Sequence, residues 1–285
     1  SAWTETGDLG REFFYSNGFG TTTAMIVAGK DGPPSIGSDK PAATESFNGT
    51  SWSSPGANIN NNRFFGGCCG ISTAGIVFGG QVPGARNEVE TWDGTSWTET
   101  TELNTAKQKI NSGTGTQTAA LSAGGTPSTT EEWNGSSWTE IADPNTARYY
   151  ASKSGIVTAA LMFGGEVPPN TGKTEYWDGT SWTEVGDLNT TRLKSAGWGA
   201  TAEAVIAVGG ATSPGANEVA NAETFNGSSW TETGDLNQAR YGLGAAGTAT
   251  AAVAFAGRHD PSGNKNLAET FDGTSWTEVN DLNTA

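Results

Sequence analysis

The chain has 285 residues, a formal net charge of −15 and an isoelectric point near 4.4. This acidity argues against a nucleic-acid or anionic-membrane partner, because such partners are bound through clustered Lys and Arg. The longest apolar runs are far too short to span a bilayer, so membrane insertion is not expected. The composition instead suits a secreted or salty environment.

One sequence unit recurs along the whole chain. Its last segment carries a tryptophan, which is found at Trp3, Trp52, Trp97, Trp138, Trp182, Trp230 and Trp276. Successive copies are therefore 41 to 49 residues apart. A period of about 40–50 residues is the size of one four-stranded propeller blade.

Each unit contains four predicted strands. The first follows a basic residue, as in YGLGAAG after Arg240, and the second is a short apolar run such as AALMFGG. Unalternating runs of Val, Ile and Ala are typical of strands buried on both faces. The third and fourth form a hairpin such as EYWDGTSW, in which Asp-Gly or Asn-Gly marks the turn. With no helical periodicity, the predicted fold is all-β: a six-bladed β-propeller of four-stranded antiparallel blades.

The repeat resembles kelch repeats in four features: a glycine pair after strand two, an aromatic residue on strand three, a Trp on strand four, and a basic residue past the next loop. It departs from them in a shorter strand 3–4 turn and in the pairs Ala28-Gly29 and Ala256-Gly257. The resemblance implies a propeller but little about function, since one fold hosts many activities. Such regular repeats resemble those of phage and environmental bacterial proteins, which implies surface attachment or a virion-associated role.

A single domain is predicted over residues 1–285. Residues 1–12 and 276–285 both carry the fourth-strand unit, so seven copies compete for six blades. One of the two should close the ring. The other is displaced, pairs with another molecule, or belongs to a longer natural chain.

The connections between strands 2 and 3 and between strands 4 and 1 lie at one end of the blades, called the loop face below. Its variable loops are residues 30–43, 81–88, 126–130, 166–173, 211–221 and 258–267. Binding functions concentrate on variable loops held by a rigid scaffold, so the loop face is the predicted binding face.

Basic residues recur where strand one begins, at Arg11, Arg63, Lys107, Arg148, Arg192 and Arg240. Aromatic residues follow several of them, at Phe13, Phe14, Phe64, Phe65, Tyr149, Tyr150 and Tyr241. In a closed propeller these residues would form a ring of cations and aromatic side chains on the loop face.

Two interpretations of this ring remain open. In the first, the cations brace loops by pairing with Asp8, Asp143, Asp187 and Asp235, or with Glu45, Glu90, Glu132, Glu175, Glu223 and Glu269. In the second they contact a ligand, because Arg forks suit carboxylates and adjacent aromatics suit sugar faces. The candidate ligand-binding residues are Arg63, Phe64, Phe65, Arg148, Tyr149, Tyr150, Arg192, Arg240 and Tyr241, with Arg86 and His259 from the loops.

Nothing in the sequence favours an enzyme. The chain has one histidine, His259, so a Ser-His-Asp set would have to be built on that residue. For a hydrolase or lyase that acts on polysaccharide, the sequence contains no residue that can be named as catalytic. We expect a protein without catalytic residues.

No cofactor is expected, although two acidic loops could hold calcium: Asp31 with Asp39, and Asp260 with Asn264 and Asn266. Neither has a dense ligand spacing. The Asn-x-Ser/Thr sites at Asn48, Asn134 and Asn226 coincide with hairpin turns, which explain them better than glycosylation; Asn189 is the fourth.

The only cysteines, Cys68 and Cys69, are adjacent. The favoured interpretation is a pair of small buried residues on strand one, because Ala245 and Ala246 occupy the equivalent positions. A vicinal disulfide or a metal-binding pair is the alternative.

The sequence therefore predicts an extracellular or virion-associated binding module that recognises a cell-surface glycan or protein through the loop face. The alternative is a structural or assembly component, such as part of a fibre, capsid or surface layer, that binds copies of itself or a protein partner. The surplus terminal strand motivates this alternative, because an unpaired strand can add to a neighbouring sheet.

Overall fold

The repeating hairpin is closed by a side chain in its turn. Asp93 Oδ1 accepts hydrogen bonds from the backbone N–H groups of Thr95 and Ser96, both at 2.8 Å. Gly94 has φ 97°, while Asp93 itself is not among the residues with positive φ. The turn lies at the predicted Asp-Gly site, but only the glycine needs the left-handed backbone, because the aspartate acts through its carboxylate.

The computed structural model describes residues 17–21, 23–29, 42–168, 170–213, 216–259, 263–264 and 267–279. The described strands form six four-stranded antiparallel sheets, each hydrogen-bonded in chain order as a propeller blade, with two small hairpins in addition. The chain divides into two units, one within residues 6–147 and one that includes residues 148–285.

The first unit contains three blades. Their strands are β1 (Asn17–Thr21), β2 (Ala24–Gly29), β3 (Ala43–Phe47), β4 (Trp52–Ser53), β5 (Gly67–Ile71), β6 (Ala74–Phe78), β7 (Val89–Trp92), β8 (Trp97–Thr100), β9 (Thr114–Thr116), β10 (Ala119–Ala123), β11 (Thr130–Trp133) and β12 (Trp138–Ile141).

The second unit also contains three blades. The fourth blade comprises β13 (Ser152–Ile156), β14 (Ala159–Phe163), β15 (Thr174–Trp177) and β16 (Trp182–Glu184). The fifth comprises β17 (Ala196–Thr201), β18 (Ala204–Val208), β21 (Ala222–Phe225) and β22 (Trp230–Glu232), with the hairpin β19 (Ala211–Ser213) and β20 (Ala216–Glu218) in its 2–3 loop. The sixth comprises β23 (Gly244–Thr248), β24 (Ala251–Phe255), β27 (Ala268–Phe271) and β28 (Trp276–Val279), with the loop hairpin β25 (Arg258–His259) and β26 (Gly263–Asn264).

The fourth strand of the last blade comes from the C-terminal copy of the repeat. In β28, Trp276 pairs with Phe271 and Val279 pairs with Ala268. Of the two copies predicted to close the ring, the C-terminal one thus supplies the fourth strand of the sixth blade, at residues 276–279. Residues 1–12 lie outside the described part of the chain.

The core lies between neighbouring blades. It is built from side chains of the second strand and of the hairpin formed by the third and fourth strands. Ile76, Val77 and Phe78 on β6 are fully buried, as the unalternating apolar run predicted. The ring of Phe78 packs on Trp138 of the next blade, with centroids 5.1 Å apart. A Cβ on Gly67 would lie 2.1 Å from the Phe78 ring, so glycine is required where this ring crosses the first strand.

The cysteines lie on β5, and both are free thiols. Burial raises the pKa of Cys68 to about 12 and that of Cys69 well above its usual value. Their predicted place on strand one is confirmed, and Cys69 is buried as predicted, whereas Cys68 is half-buried. The thiols contact the backbone carbonyls of Gly18 and Thr116, one on each neighbouring blade.

The predicted all-β class and its six four-stranded antiparallel blades are confirmed. No helix in the described part of the chain is long and apolar enough to cross a membrane.

Candidate functional site

The basic residue ahead of the first strand is buried in the second to sixth blades. Arg63 Nη2 lies 2.8 Å from Glu90 Oε1 on the third strand of the same blade, and both side chains are 0% exposed. Arg63 Nη1 donates to the backbone carbonyls of Glu88, at 2.6 Å, and Gly79, at 3.2 Å. The guanidinium therefore braces the strand 2–3 loop against the third strand.

The same pair is found in the four following blades. The partners are Lys107–Glu131 (3.8 Å), Arg148–Glu175 (2.9 Å), Arg192–Glu223 and Arg240–Glu269 (2.8 Å), and their side chains are at most 1% exposed. Burial lowers the pKa of Arg148 to about 10, against the raising effect of Glu175. Burial lowers the pKa of Lys107 to about 8, because the free energy that the ammonium loses on leaving water exceeds its attraction to the more distant carboxylate of Glu131.

An asparagine three residues before the cation joins the networks of Glu90, Glu131, Glu223 and Glu269. The backbone and side-chain N–H groups of Asn60 donate to Glu90 Oε2 at 2.6 and 2.9 Å. The same bonds link Asn104 to Glu131, Asn189 to Glu223 and Asn237 to Glu269. These asparagines were not among the predicted site residues, although Asn-x-x-Arg or Asn-x-x-Lys recurs ahead of strand one.

One predicted glutamate partner and three predicted aspartate partners of the cations are wrong. Glu131, not Glu132, pairs with Lys107, because the strand alternates and a shift of one residue turns a side chain to the other face. The aspartates before the cations serve the backbone instead: Asp143, Asp187 and Asp235 accept from the N–H groups of Thr130, Thr174 and Ala222.

The bracing interpretation of the cations is confirmed by these pairs. Arg63, Arg148, Arg192 and Arg240 are 0 to 1% exposed. A ligand could reach their guanidinium groups only if a buried ion pair opened, which leaves an uncompensated charge in the core.

The second residue after each cation has a left-handed backbone in the second to sixth blades. The φ angles are 55° at Phe65, 58° at Lys109, 55° at Tyr150, 53° at Lys194 and 62° at Gly242. This conformation costs a residue with a side chain roughly 1–2 kcal/mol, and such residues cluster at ligand-binding and active sites. The glycine in one copy is the sequence signal that could have predicted the conformation.

In the second unit these left-handed residues are linked to one another by backbone hydrogen bonds. The N–H of Lys194 donates to the carbonyl of Tyr150 at 3.2 Å, and the N–H of Gly242 donates to the carbonyl of Lys194 at 2.9 Å. The three residues belong to three successive blades, so their spacing is fixed by the backbone.

Aromatic side chains surround the ammonium of Lys194. Its Nζ lies 4.9 Å from the ring centroid of Tyr150 and 5.5 Å from that of Tyr241, within the range of cation–π attraction. Lys194 and Tyr150 are half-buried, whereas Tyr241 is 6% exposed. Three blades thus contribute to one cation–aromatic cluster, defined here as Tyr150, Lys194 and Tyr241.

Three further aromatics of the prediction, Tyr149, Phe64 and Phe65, lie at or beside left-handed residues, whereas Phe13 and Phe14 lie outside the described residues. Tyr149 is half-buried, its ring centroid is 5.5 Å from that of Tyr150, and its hydroxyl donates to Glu166 at 2.9 Å. Desolvation, followed by Glu166, raises the pKa of Tyr149. In the first unit Phe64 and Phe65 are half-buried, with centroids 5.3 Å apart.

The two loop residues in the prediction have acidic neighbours. Arg86 Nη1 lies 2.7 Å from Glu88 Oε1, and both side chains are partly exposed. His259 lies on the short strand β25, with its Nδ1 3.9 Å from Glu218 Oε2 of the neighbouring loop hairpin. The structure therefore brings Tyr149, Tyr150 and Tyr241 together with Lys194, which the sequence analysis did not select.

The described residues contain no group of three or more His, Cys, Asp or Glu side chains that could hold a metal ion. Asp31, Asp39, Asp260 and Asn266, predicted as weak calcium ligands, lie outside the described residues, as does the side chain of Asn264.

The architecture and the repeated loop-face geometry define the class as a six-bladed β-propeller. A solved structure entitled "Structure of YjhT" is similar to this chain with a TM-score of 0.74 and 12% sequence identity, covering 96% of this chain and 99% of that one. At this identity the likeness bears on the fold alone. No protein-family model matches the chain, and no curated protein matches it. The kelch resemblance therefore stays a prediction.

Proposed function

We propose that this propeller is a non-enzymatic binding module that recognises a cell-surface glycan or protein through its loop face, in an extracellular or virion-associated setting. The observation that carries this proposal is the cluster of Tyr150, Lys194 and Tyr241, with Tyr149 beside it. The blade cations are withdrawn into buried pairs, while these aromatic and ammonium groups gather at the loop face.

Backbone strain supports a binding role for the cluster. Tyr150 and Lys194 hold left-handed φ angles of 55° and 53°, where Gly242 in the next copy adopts 62° without a Cβ. A binding role accounts for large side chains at positions that favour glycine, because strained residues cluster at ligand clamps. Tyrosine rings suit a glycan, since each combines an apolar face with a hydrogen-bonding hydroxyl.

The loops beside the cluster add variable contact surface. The 2–3 loops of the fifth and sixth blades contain the hairpins β19–β20 and β25–β26, whereas the other described blades lack such hairpins in their described residues. Leu193 bridges to Ala211 and Tyr241 bridges to Arg258, so the residues after the cations are hydrogen-bonded to these loops. A rigid scaffold that carries variable loops is the usual basis of specificity.

A glycan array and a cell-surface binding assay with the purified protein test the proposal. Tyr150→Gly removes the ring and suits the left-handed backbone, so the blade should stay folded. We expect this variant to lose at least tenfold in affinity for the selected ligand. Tyr176→Ala is the matched control, because Tyr176 is a half-buried tyrosine on a third strand whose hydroxyl contacts Glu203. Equal affinity of wild type and Tyr150→Gly would refute the site.

A second candidate function is self-assembly. Each described blade has its own fourth strand, and Trp276–Val279 supplies the last one, whereas the sequence contains a seventh fourth-strand unit at residues 1–12. Light scattering of the intact chain against variants without residues 1–10 or 277–285 tests strand exchange. Oligomers that survive both deletions would argue against it.

A further inference from the structure

We propose that Asn48, Asn134 and Asn226 are sites of spontaneous succinimide formation, promoted by the hydrogen-bond donors of their own turns, which converts each asparagine to an aspartyl residue. Each asparagine begins a hairpin turn between the third and fourth strands and is followed by glycine. The other three hairpin turns already have aspartate at this position, at Asp93, Asp178 and Asp272. This modification is independent of the proposed binding function.

The reaction requires only the asparagine, the residue after it and water. The backbone nitrogen of the following residue attacks Cγ of the asparagine side chain, and a new N–Cγ bond forms. The Cγ–Nδ2 bond breaks, and ammonia leaves with the proton that the attacking N–H group gives up. Water then opens the five-membered ring at either carbonyl, which produces an aspartyl or an isoaspartyl residue. Glycine favours the attack because it has no Cβ to obstruct it.

The turn places hydrogen-bond donors around the oxygen on which negative charge develops. Asn48 Oδ1 accepts from the backbone N–H groups of Thr50 and Ser51, at 3.0 and 2.9 Å, and from the Thr50 hydroxyl at 2.8 Å. Asn134 and Asn226 have the same three kinds of donor, at 2.9 to 3.0 Å. Donors positioned in advance around such an oxygen stabilise the tetrahedral intermediate that forms when a carbonyl group is attacked.

The structure distinguishes these turns from a fourth Asn-Gly pair in the chain. Asn17 and Gly18 lie within β1, where they pair with Ala28 and Val27 of β2. Asn17 is 4% exposed, whereas the three turn asparagines are exposed. Ring closure and hydrolysis at Asn17 would require this strand to open first, because its backbone is held in the sheet and shielded from water. We therefore expect Asn17 to be inert in the folded protein.

The turn also accommodates the aspartyl product. In the fourth blade the carboxylate of Asp178 accepts from the Thr180 hydroxyl at 2.7 Å and from the N–H groups of Thr180 and Ser181, both at 2.8 Å. The glycines after the asparagines have φ angles of 94° to 95°, and those after the aspartates have φ angles of 93° to 100°. Conversion of all three asparagines would therefore preserve the turn geometry wherever the aspartyl product forms.

Incubation of the intact folded protein at pH 8.5 and 37 °C, followed by peptide mass spectrometry, tests the proposal. Asn48, Asn134 and Asn226 should be converted roughly tenfold or more faster than Asn17, which reacts only when its strand opens. In the chain unfolded in urea, Asn17 should become reactive, and the three turn sites should gain nothing. Equal conversion of Asn17 in the folded protein would overturn the proposal. Turn asparagines that stay intact in the folded protein but react in the unfolded chain would overturn it too.

Thr50→Val tests the role of the turn donors, because it removes the hydroxyl that Asn48 Oδ1 accepts from and keeps the shape of the side chain. Conversion of Asn48 should slow severalfold, while Asn134 and Asn226 in the same molecule serve as controls and keep their rates. An unchanged rate at Asn48 would overturn the promotion by the turn.

Asp178→Asn tests whether the turn geometry is sufficient. This variant places a new Asn-Gly pair in a turn with the same donors, so it should gain a fourth reactive site that is converted about as fast as Asn134. An introduced asparagine that stays intact while Asn134 reacts would contradict the proposal.

Discussion

The indole Nε1 of Trp97 donates a hydrogen bond to Oγ1 of Thr44 across a blade boundary, at 3.0 Å. Trp97 lies on the fourth strand of its blade, and Thr44 lies on the third strand of the blade before it. The same bond links Trp230 to Thr174 at 2.9 Å. Because both groups are buried, each bond fixes one blade against the next and satisfies a polar group in the core.

Two other blade boundaries within the described units lack this bond. The Nε1 atoms of Trp138 and Trp276 are buried without a hydrogen-bond partner in the described structure. The position equivalent to Thr44 is Val89 ahead of Trp138 and Ala222 ahead of Trp276, and each apolar residue packs in the same core cluster as its indole. The missing hydroxyl explains both unsatisfied indoles.

Val89→Thr should therefore stabilise the protein, because it supplies the missing acceptor for Trp138. We expect a gain of about 1 kcal/mol in the free energy of unfolding, the typical net value of one hydrogen bond. Urea unfolding should show a higher midpoint with an unchanged slope. Val77→Thr is the control, because Val77 is buried and the indoles in its core cluster already have hydrogen-bond acceptors. This variant should be less stable than wild type. A gain in stability equal to that of Val89→Thr would contradict the explanation.

Arg148→Ala should destabilise the fold by about 3–5 kcal/mol, because it removes the cation that pairs with the buried carboxylate of Glu175. Lys173→Ala in the same unit should change the melting temperature little, since its pair with Glu184 is partly exposed. Thermal unfolding of the two variants measures the contrast. A melting temperature of Arg148→Ala equal to that of wild type would show that the pair does not brace the blade.

Lys107 makes stability depend on pH in the alkaline range. Its folded pKa is about 8, below the usual pKa of lysine of about 10.4. Between these values the unfolded chain holds a proton that the folded chain has released, so this group makes unfolding less favourable as pH rises. Lys107→Arg should abolish that rise of about 1–3 kcal/mol, because arginine stays charged. Urea midpoints at pH 7, 8, 9 and 10 test it; identical profiles would contradict the assignment.

Asp178 makes a contribution of the same sign in acid. Hydrogen bonds from Thr180 and Ser181 lower its pKa to about 2, from an unfolded value near 3.9. The stability that it contributes is complete above about pH 4 and is lost as pH falls through about 2. Asp178→Asn should keep the turn, as Asn134 does in another copy, but remove this pH dependence. An NMR titration of Asp178 measures its pKa; a value near 3.9 would refute the turn geometry.

The sequence predicted the blades well because their signals are local and repeated. A Gly residue after Asp or Asn forms the turn of each hairpin. Apolar runs such as Ile76–Val77–Phe78 belong to strands that are buried on both faces. It mispredicted Glu132 for Glu131, because two adjacent glutamates give no indication of which one faces the core. The backbone register decided between them.

The candidate site was predicted only in part. Tyr149, Tyr150 and Tyr241 were selected because they follow the cations, but Lys194 was not, since it follows a leucine rather than an aromatic residue. Its place between two rings depends on Tyr241, which is 47 positions away in the chain. No local pattern reports such a contact.

The sequence by itself determined the strands, the turns, the repeat and the number of blades, because each depends on residues within one period. Only the tertiary structure decided what the repeated cations do. A cation at the start of a strand can face either solvent or a buried carboxylate. The sequence does not distinguish the two, because Arg63 and Glu90 come into contact only when their blade folds. Burial and partner choice are properties of packing, and packing placed the arginines in the core and Lys194 between the tyrosines at the loop face.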